Sequence, residues 1–400
     1  MADPVQQKHI VLGVTGSIAA YKAADIASKL TQQGALVDVI LTESACQFIT
    51  PLSFQSVTGR KAYVDADLWG GEGHVTHIGL GHNADLMVIA PASANTMAKL
   101  AHGIGDNLLN VTALAAKCPL MIVPAMDAGM YDHAATQTNV TILKDRSAVF
   151  IGPEEGHLAS GLVGLGRMSE PAKIISAIRF EMGKSGTLHG KKFVVSAGPT
   201  REALDPVRFI TNHSSGRQGY AVAQAALDQG ASVTLISGPT CITAPYGVNL
   251  VPVTTASEMA AAVLAESKDA FALIMTAAVA DFRPAKESPN KIKKGGDSLN
   301  LELEFTTDIL KAVAKQKSQT GFPRKTIGFA AESQQLLENA QSKLEGKKLD
   351  LIVANDITAP GAGFAGTTNQ VTLLFADGRQ ETLPLQEKTA VAEAIIKTLC

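Results

Sequence analysis

Side chains able to move protons or hold phosphate gather in four places along the chain. His74, His77 and His82 lie close together. Histidine titrates near neutral pH and suits proton transfer. His74 and His77 could instead share a metal, although no carboxylate or thiol pattern accompanies them, and a solvated helix start is a third reading. Thr15-Gly16-Ser17 is a tight turn between an apolar run and a helical segment. Backbone N–H groups at such a helix start can face an anion such as a flavin phosphate, but many α/β domains carry the same turn without a ligand. Arg208–Gly216 (RFITNHSSG) offers amide and hydroxyl donors around a glycine, suited to phosphate or an acyl phosphate. A helix-capping loop has the same composition. Lys291-Ile292-Lys293-Lys294, followed by Gly295-Gly296, could be a lid that closes on polyphosphate, or simply a solvated charged face. Two other motifs fail. Gly161, Gly164 and Gly166 have the wrong order for a dinucleotide fingerprint, and Ile178 stands where a P-loop ending at Gly183-Lys184-Ser185 needs its first glycine.

These groups need elements to hold them. His9–Val14 reads as a strand, Ile18–Gln32 as an amphipathic helix ending near Gly34, and Ala35–Thr42 as the next strand. That is a βαβ unit, which implies a parallel sheet covered on both faces. Leu86–Ala90 and Leu120–Val123 are further buried strands, and Ala94–Gly103 and Ala172–Met182 are helices. A polar, glycine-rich tract at Gly183–Gly190 reads as a linker. A second start follows, with strands at Lys192–Ala197, Ser232–Ser237, Ala272–Thr276, Thr326–Ala330 and Leu349–Val353, and a helix at Gly219–Gln229. The expectation is two Rossmann-like α/β domains, residues 1–188 and 189–400.

Composition narrows the class. With 35 Lys+Arg against 37 Asp+Glu, the formal net charge is −2, so the chain lacks the positive field of a nucleic-acid or anionic-membrane binder. Aromatic residues are only 5%, too few for a base-stacking platform. Cys46, Cys118, Cys241 and Cys400 form no C-x-x-C pair, which fits a reduced, cytoplasmic compartment. The N-terminus has no signal-peptide core, and no stretch of about 18 apolar residues would span a membrane.

Longer motifs carry a resemblance. VTGSIAAYK (14–22), HIGL (77–80), ADLMVIAPASANTMAK (84–99), PAMD (124–127) and GLGRMSEP (164–171) resemble the homo-oligomeric flavin-containing cysteine decarboxylases. GPTRE (198–202), ITNHSSG (210–216), TAAVADFRP (276–284), KIKK (291–294), GFAAES (328–333) and KKLDLIVAND (347–356) resemble phosphopantothenate–cysteine ligase domains. In this order they resemble the bacterial bifunctional phosphopantothenoylcysteine decarboxylase/phosphopantothenate–cysteine ligases of coenzyme A biosynthesis.

The resemblance implies a flavodoxin-like N-terminal domain binding FMN through Gly16, Ser17, Thr42, Ser44, Ser93, Ala94 and Thr96, with Met126 nearby. His77 matches the catalytic histidine. Asp127 stands where the family carries asparagine, and Ser160 where it carries a cysteine proton donor. An ionised Asp127 would repel a substrate carboxylate unless protonated, paired or used differently, and a serine is a far weaker acid than a thiol. The ligase half, with a parallel-type sheet, would join 4′-phosphopantothenate to cysteine using CTP and Mg2+, through an acyl-cytidylate. Asn212 would stabilise that intermediate, and Lys291, supported by Lys294, would neutralise phosphate charge. Asp281, Thr307, Asp308, Ile309, Leu310, Phe329, Lys343 and Lys347 match nucleotide-contacting positions. Thr307 stands where proline is common. Relatives assemble through flavin-domain trimers and ligase-domain dimers into dodecamers, which implies a homo-oligomer with its FMN site at a subunit interface. Alternative readings are a ligase with an altered or inactive flavin domain, and a flavin-domain regulatory or binding protein.

Overall fold

Runs of aliphatic and β-branched residues, separated by glycine- and proline-bearing turns, build two parallel sheets. The computed structural model describes residues 3–69, 75–293, 299–332, 336–356 and 366–400; His74 and Lys294 lie outside them. The chain divides into two compact units, residues 2–182 and 183–400.

The first unit holds β1 (His9–Val14), β2 (Leu36–Leu41), β3 (Ala62–Tyr63), β4 (Leu86–Ala92), β5 (Leu120–Pro124) and β6 (Val149–Phe150). They pair in the order β3-β2-β1-β4-β5-β6, all parallel. Every residue of β4 is buried, as expected of a central strand covered by helices on both faces. The first helix spans Ala20–Gln32 and buries Ala23, Ile26, Ala27 and Leu30 at helical spacing. It begins later than its apolar pattern indicates. Ser17 Oγ accepts from the Ala19 amide at 3.2 Å, so residues 17–19 form the entry turn and Ile18 stays 62% exposed.

A hairpin of β7 (Glu154–His157) and β8 (Val163–Arg167) follows the sheet. It is not legible as apolar runs, because glycines and exposed residues dominate it. Those glycines have a packing role. A Cβ on Gly166 would lie 2.3 Å from the Met126 carbonyl oxygen, and the Met126 amide donates to Gly166 O at 3.0 Å. The hairpin therefore lies flat on residues 126–128 and carries its tip, residues 158–162, alongside them.

The second unit holds β9 (Lys192–Ala197), β10 (Arg201–Ala203), β11 (Phe209–Thr211), β12 (Ser232–Ser237), β13 (Asn249–Pro252), β14 (Ala272–Met275), β15 (Phe282–Pro284), β16 (Leu303–Phe305), β17 (Lys325–Glu332), β18 (Leu351–Asp356), β19 (Thr368–Phe375) and β20 (Gln380–Glu387). Its main sheet runs β13-β12-β9-β14-β17-β18-β19-β20. It is parallel as far as β18, and then β19 and β20 add an antiparallel edge. Two ribbons, β10–β11 and β15–β16, project from its loops.

Each sheet reverses its winding direction once, between β1 and β4 and between β9 and β14. Adjacent loops diverge there and open a crevice at the carboxyl ends of the strands. Thr15, fully buried, ties the first pair together. Its hydroxyl donates to Pro91 O at 2.8 Å and accepts from the Ser93 amide at 2.9 Å. Thr15→Val keeps the shape but leaves the Ser93 amide without its acceptor, while Pro91 O keeps the Thr15 amide at 3.3 Å, and should lower unfolding free energy by about 1–3 kcal/mol. Urea denaturation of the full chain checks this; an unchanged midpoint would contradict it.

Candidate active sites

In the first unit, the positions that the sequence resemblance assigns to flavin contact fall at the carboxyl ends of β1, β2 and β4. Ser93 N-caps the helix Ala94–His102, accepting from the Thr96 amide at 3.3 Å and donating to the Thr96 hydroxyl at 3.2 Å. Thr42, buried, accepts from the Ala45 amide at 3.2 Å. Ser93 is committed to its own helix start, whereas the Thr42 and Thr96 hydroxyls accept there and keep their own protons; backbone amides are open donors as well. Among the described residues, the N–H groups of Gly16, Ser17 and Ile18 donate to no protein acceptor. That donor row, at a helix start, fits the phosphate of a flavin nucleotide. Gly16 is required for a different reason from ligand approach: a Cβ there would meet Ser44 Cβ at 2.6 Å, so the turn must close tightly on the loop after β2.

A cavity of about 330 Å3 opens beside this turn, lined among others by Ser17, Tyr21, Lys22, Met126, Asp127 and Ser160. Both oxygens of Asp127 are engaged. Oδ1 accepts from the Gly129 amide at 3.0 Å as the N-cap of Ala128–Asp132, and Oδ2 accepts from Ser160 Oγ at 2.6 Å. The carboxylate thus serves as helix cap and hydrogen-bond acceptor, and the hydroxyl at the serine position points its proton at Asp127. His157 also lines the cavity, but Ser160 is bonded to Asp127.

His77 is elsewhere. It is half-buried on the helix Thr76–Asn83, its Nδ1 is buried without a partner, and it does not line this cavity. His82 is exposed in the last turn of the same helix. No group of three metal-ligating side chains occurs among the described residues. Lys22 was not singled out from sequence. It is 8% exposed, and its Nζ donates to Met168 O at 3.2 Å and Glu170 Oε1 at 3.1 Å. A lysine on the buried stripe of an amphipathic helix was the available signal.

In the second unit, Thr200 plays the part of Thr15. It is fully buried, its amide donates to Ala278 O at 3.2 Å, and its hydroxyl accepts from the Ala280 amide at 3.0 Å. Beside it, Asn212 Nδ2 donates to Ala278 O at 3.3 Å and to Val279 O at 3.1 Å. Only an amide can hold this pose, because a carboxylate would face two carbonyl oxygens.

Two cavities adjoin there. One of about 540 Å3 is lined by Asn212, Ser214, Asp281, Phe329, Asn355 and Lys388, among others. The other, of about 640 Å3, is lined by Asp281, Thr307, Asp308, Leu310, Phe329 and Lys347, with Ile309 also contributing. Asp308 caps the helix Ile309–Thr320 and sits 3.4 Å from Lys347 Nζ. Lys343 and Lys291 line neither cavity. Sequence reasoning missed two residues of the first cavity. Asn355, 8% exposed, has a buried Oδ1 with no partner, an acceptor suited to a ligand donor. Lys388 is 6% exposed, donates to Gly366 O at 2.7 Å, and is pushed below the usual lysine range by burial and by nearby Arg217. No helix among the described residues is long and apolar enough to cross a membrane.

Comparison with known proteins agrees with this division. The model of the Flavoprotein family matches residues 2–183, and the model described as DNA/pantothenate metabolism flavoprotein C-terminal domain matches residues 188–400. The coenzyme A biosynthesis bifunctional protein CoaBC of Bacillus subtilis (strain 168) is 45% identical over 398 residues, covering 99% of this chain and 97% of that one. The protein of the same name from Vibrio vulnificus (strain YJ016) is 43% identical over 394 residues, covering 98% and 97%. A crystal structure of the C-terminal domain of a CoaBC protein shares 41% identity, covers 54% of this chain and 96% of that one, and superposes with a TM-score of 0.45. A flavoprotein half, a ligase-type half and end-to-end identity to relatives of one kind lead to one conclusion: the chain belongs to the family of bifunctional coenzyme A biosynthesis proteins.

Proposed function

We infer that this bifunctional enzyme of coenzyme A biosynthesis, with ligase and decarboxylase activities, uses one half for each reaction. We propose that the ligase half joins 4′-phosphopantothenate to cysteine using CTP, with Mg2+ accompanying the nucleotide. The pantothenate carboxylate attacks the α-phosphate and releases pyrophosphate; the cysteine amine then attacks the acyl carbon and releases CMP. CTP lies along Asp281, Thr307, Asp308, Ile309, Leu310, Phe329 and Lys347. Asn212, neutral and fixed by its bonds to Ala278 O and Val279 O, stabilises the acyl-cytidylate from the cavity wall, and Lys291 offsets phosphate charge. The observation that carries this reading is that Asn212 and the Thr307–Leu310 turn line cavities that share Asp281 and Phe329.

The flavin half decarboxylates 4′-phosphopantothenoylcysteine to 4′-phosphopantetheine. FMN would be held by Gly16, Ser17, Thr42, Ser44, Ser93, Ala94 and Thr96, beside Met126; it would supply a two-electron acceptor that makes loss of the carboxylate possible and would return the same two electrons to the product, so that the saturated thiol forms with no external reductant. Asp127 holds the Ser160 hydroxyl at 2.6 Å and fixes the hairpin tip over the cavity. Ser160 then relays the proton that a thiol carries in relatives. His77, which does not line this cavity, serves proton transfer in the site of a neighbouring copy. This supports a homo-oligomer of trimer and dodecamer type, as do Ile18 and Tyr21, 62% and 65% exposed beside the cavity. The domain boundary falls near residue 188, and the enzyme works in the cytoplasm. Full-length identity to bifunctional relatives does not favour a binding-protein reading.

Two variants test the two halves. Asn212→Asp should lower CTP-dependent pyrophosphate release about 10²–10³-fold, and wild-type turnover would contradict the assignment. Ser160→Ala, assayed anaerobically, should still release CO2 but form the saturated thiol at least about tenfold more slowly. An unchanged ratio of thiol to CO2 would remove Ser160 from the proton path.

A further inference from the structure

Residues 291–293 belong to no helix or strand, yet their path is closely determined. The Asp205 side chain is fully buried at 0% exposure. Its Oδ1 accepts from the amides of Val207 and Arg208, both at 2.8 Å. Its Oδ2 accepts from Arg208 Nε at 3.0 Å and from the Ile292 amide at 3.0 Å. Arg208 Nη2 adds a bond to the same oxygen and another, at 2.8 Å, to Ile292 O. One carboxylate and one guanidinium thus hold both backbone polar groups of Ile292, the residue between Lys291 and Lys293. The Ser288 amide, donating to Leu204 O at 3.0 Å, ties the approach to the same loop.

We propose that Asp205 is a positioning residue for the ligase reaction, which through Arg208 fixes the backbone from which Lys291 reaches the CTP phosphates. The inference rests on the ligase reading above. Lys291 is exposed, and a lysine head on a four-carbon stem loses much of its effect if its root also moves. Anchoring Ile292 at both its N–H and its C=O removes that freedom before substrate arrives. The bonds from Arg208, and then those from the Ile292, Val207 and Arg208 amides, hold the Asp205 carboxyl well below the usual carboxylate range. The group stays ionised near neutral pH, and the clasp's contribution is lost only in acid, as pH falls from the ordinary carboxylate range toward the depressed folded value.

The test is a double-mutant cycle on the full chain, read by CTP- and cysteine-dependent pyrophosphate release. Asp205→Asn should lower kcat/KM about tenfold, and Lys291→Gln should lower it as much or more. The double variant should be no worse than Lys291→Gln alone, since an unanchored root matters only while the lysine is present. Amide hydrogen exchange of residues 288–293 should quicken in Asp205→Asn while β9 and β14 stay protected. Additive losses in the double variant, or wild-type kcat/KM with rapid exchange at Ile292, would overturn the inference. Arg208→Lys, which keeps the charge but loses the fork to Ile292, repeats the cycle if Asp205→Asn fails to fold. Absence of wild-type pyrophosphate release would count against the ligase reading, whereas slow wild-type exchange that Asp205→Asn does not change would overturn the clasp.

Discussion

Parallel strands whose connections leave in opposite directions cannot cover their own carboxyl ends, and both halves of this protein are built around the gap that results. In each, a fully buried threonine just beyond the first strand spans the divergence. Thr15 joins the loop after β1 to that after β4, and Thr200 joins the loop after β9 to that after β14. With the loops held, backbone amides and short polar side chains face the crevice instead of folding into it. The proposed chemistry of each half depends on that arrangement. In the first, unpaired amides of the Gly16–Ile18 turn remain for an anion; in the second, Asn212 is set against the Ala278 and Val279 carbonyls.

Around those crevices the two halves use different means to place their reactive groups. The flavin half brings a hairpin in from one side. Close packing at Gly166 lays it against Met126, and Ser160 at its tip closes onto Asp127. The pair matters because both positions depart together from the pattern that the sequence resemblance implies. An aspartate accepts where an asparagine could also donate, and a serine beside it donates where a cysteine would ionise. The two departures therefore meet in one hydrogen bond. The ligase half sets two cavities side by side, with Asp281 and Phe329 common to both, and anchors its lysine segment from below through Asp205 and Arg208.

Much of the framework was legible in the sequence because aliphatic runs such as Leu12, Val88 and Ile274 report burial directly. The turn at Thr15–Ser17 and the Asn212 loop were visible as polar breaks beside such runs. What was hidden depends on distant partners. Ser160 meets Asp127 across 33 residues, and Ile292 meets Asp205 across 87. No local period encodes either contact. The β7–β8 hairpin escaped because its strands alternate glycine with exposed residues, and the reason for Gly16 escaped because Ser44, its close neighbour, lies on another strand's loop. The histidine cluster looked like one site, yet His77 lines none of the cavities that hold the other site residues, and His82 faces solvent.

The central claim is that both crevices are active and act in sequence on one substrate. A coupled assay from 4′-phosphopantothenate with CTP, Mg2+ and cysteine, run on the purified full chain under a visible spectrum, tests it most directly. The expected result is a flavin spectrum and the formation of 4′-phosphopantetheine, with pyrophosphate, CMP and CO2 released in equal amounts. Pyrophosphate and CMP without CO2, or CO2 without the saturated thiol product, would contradict it.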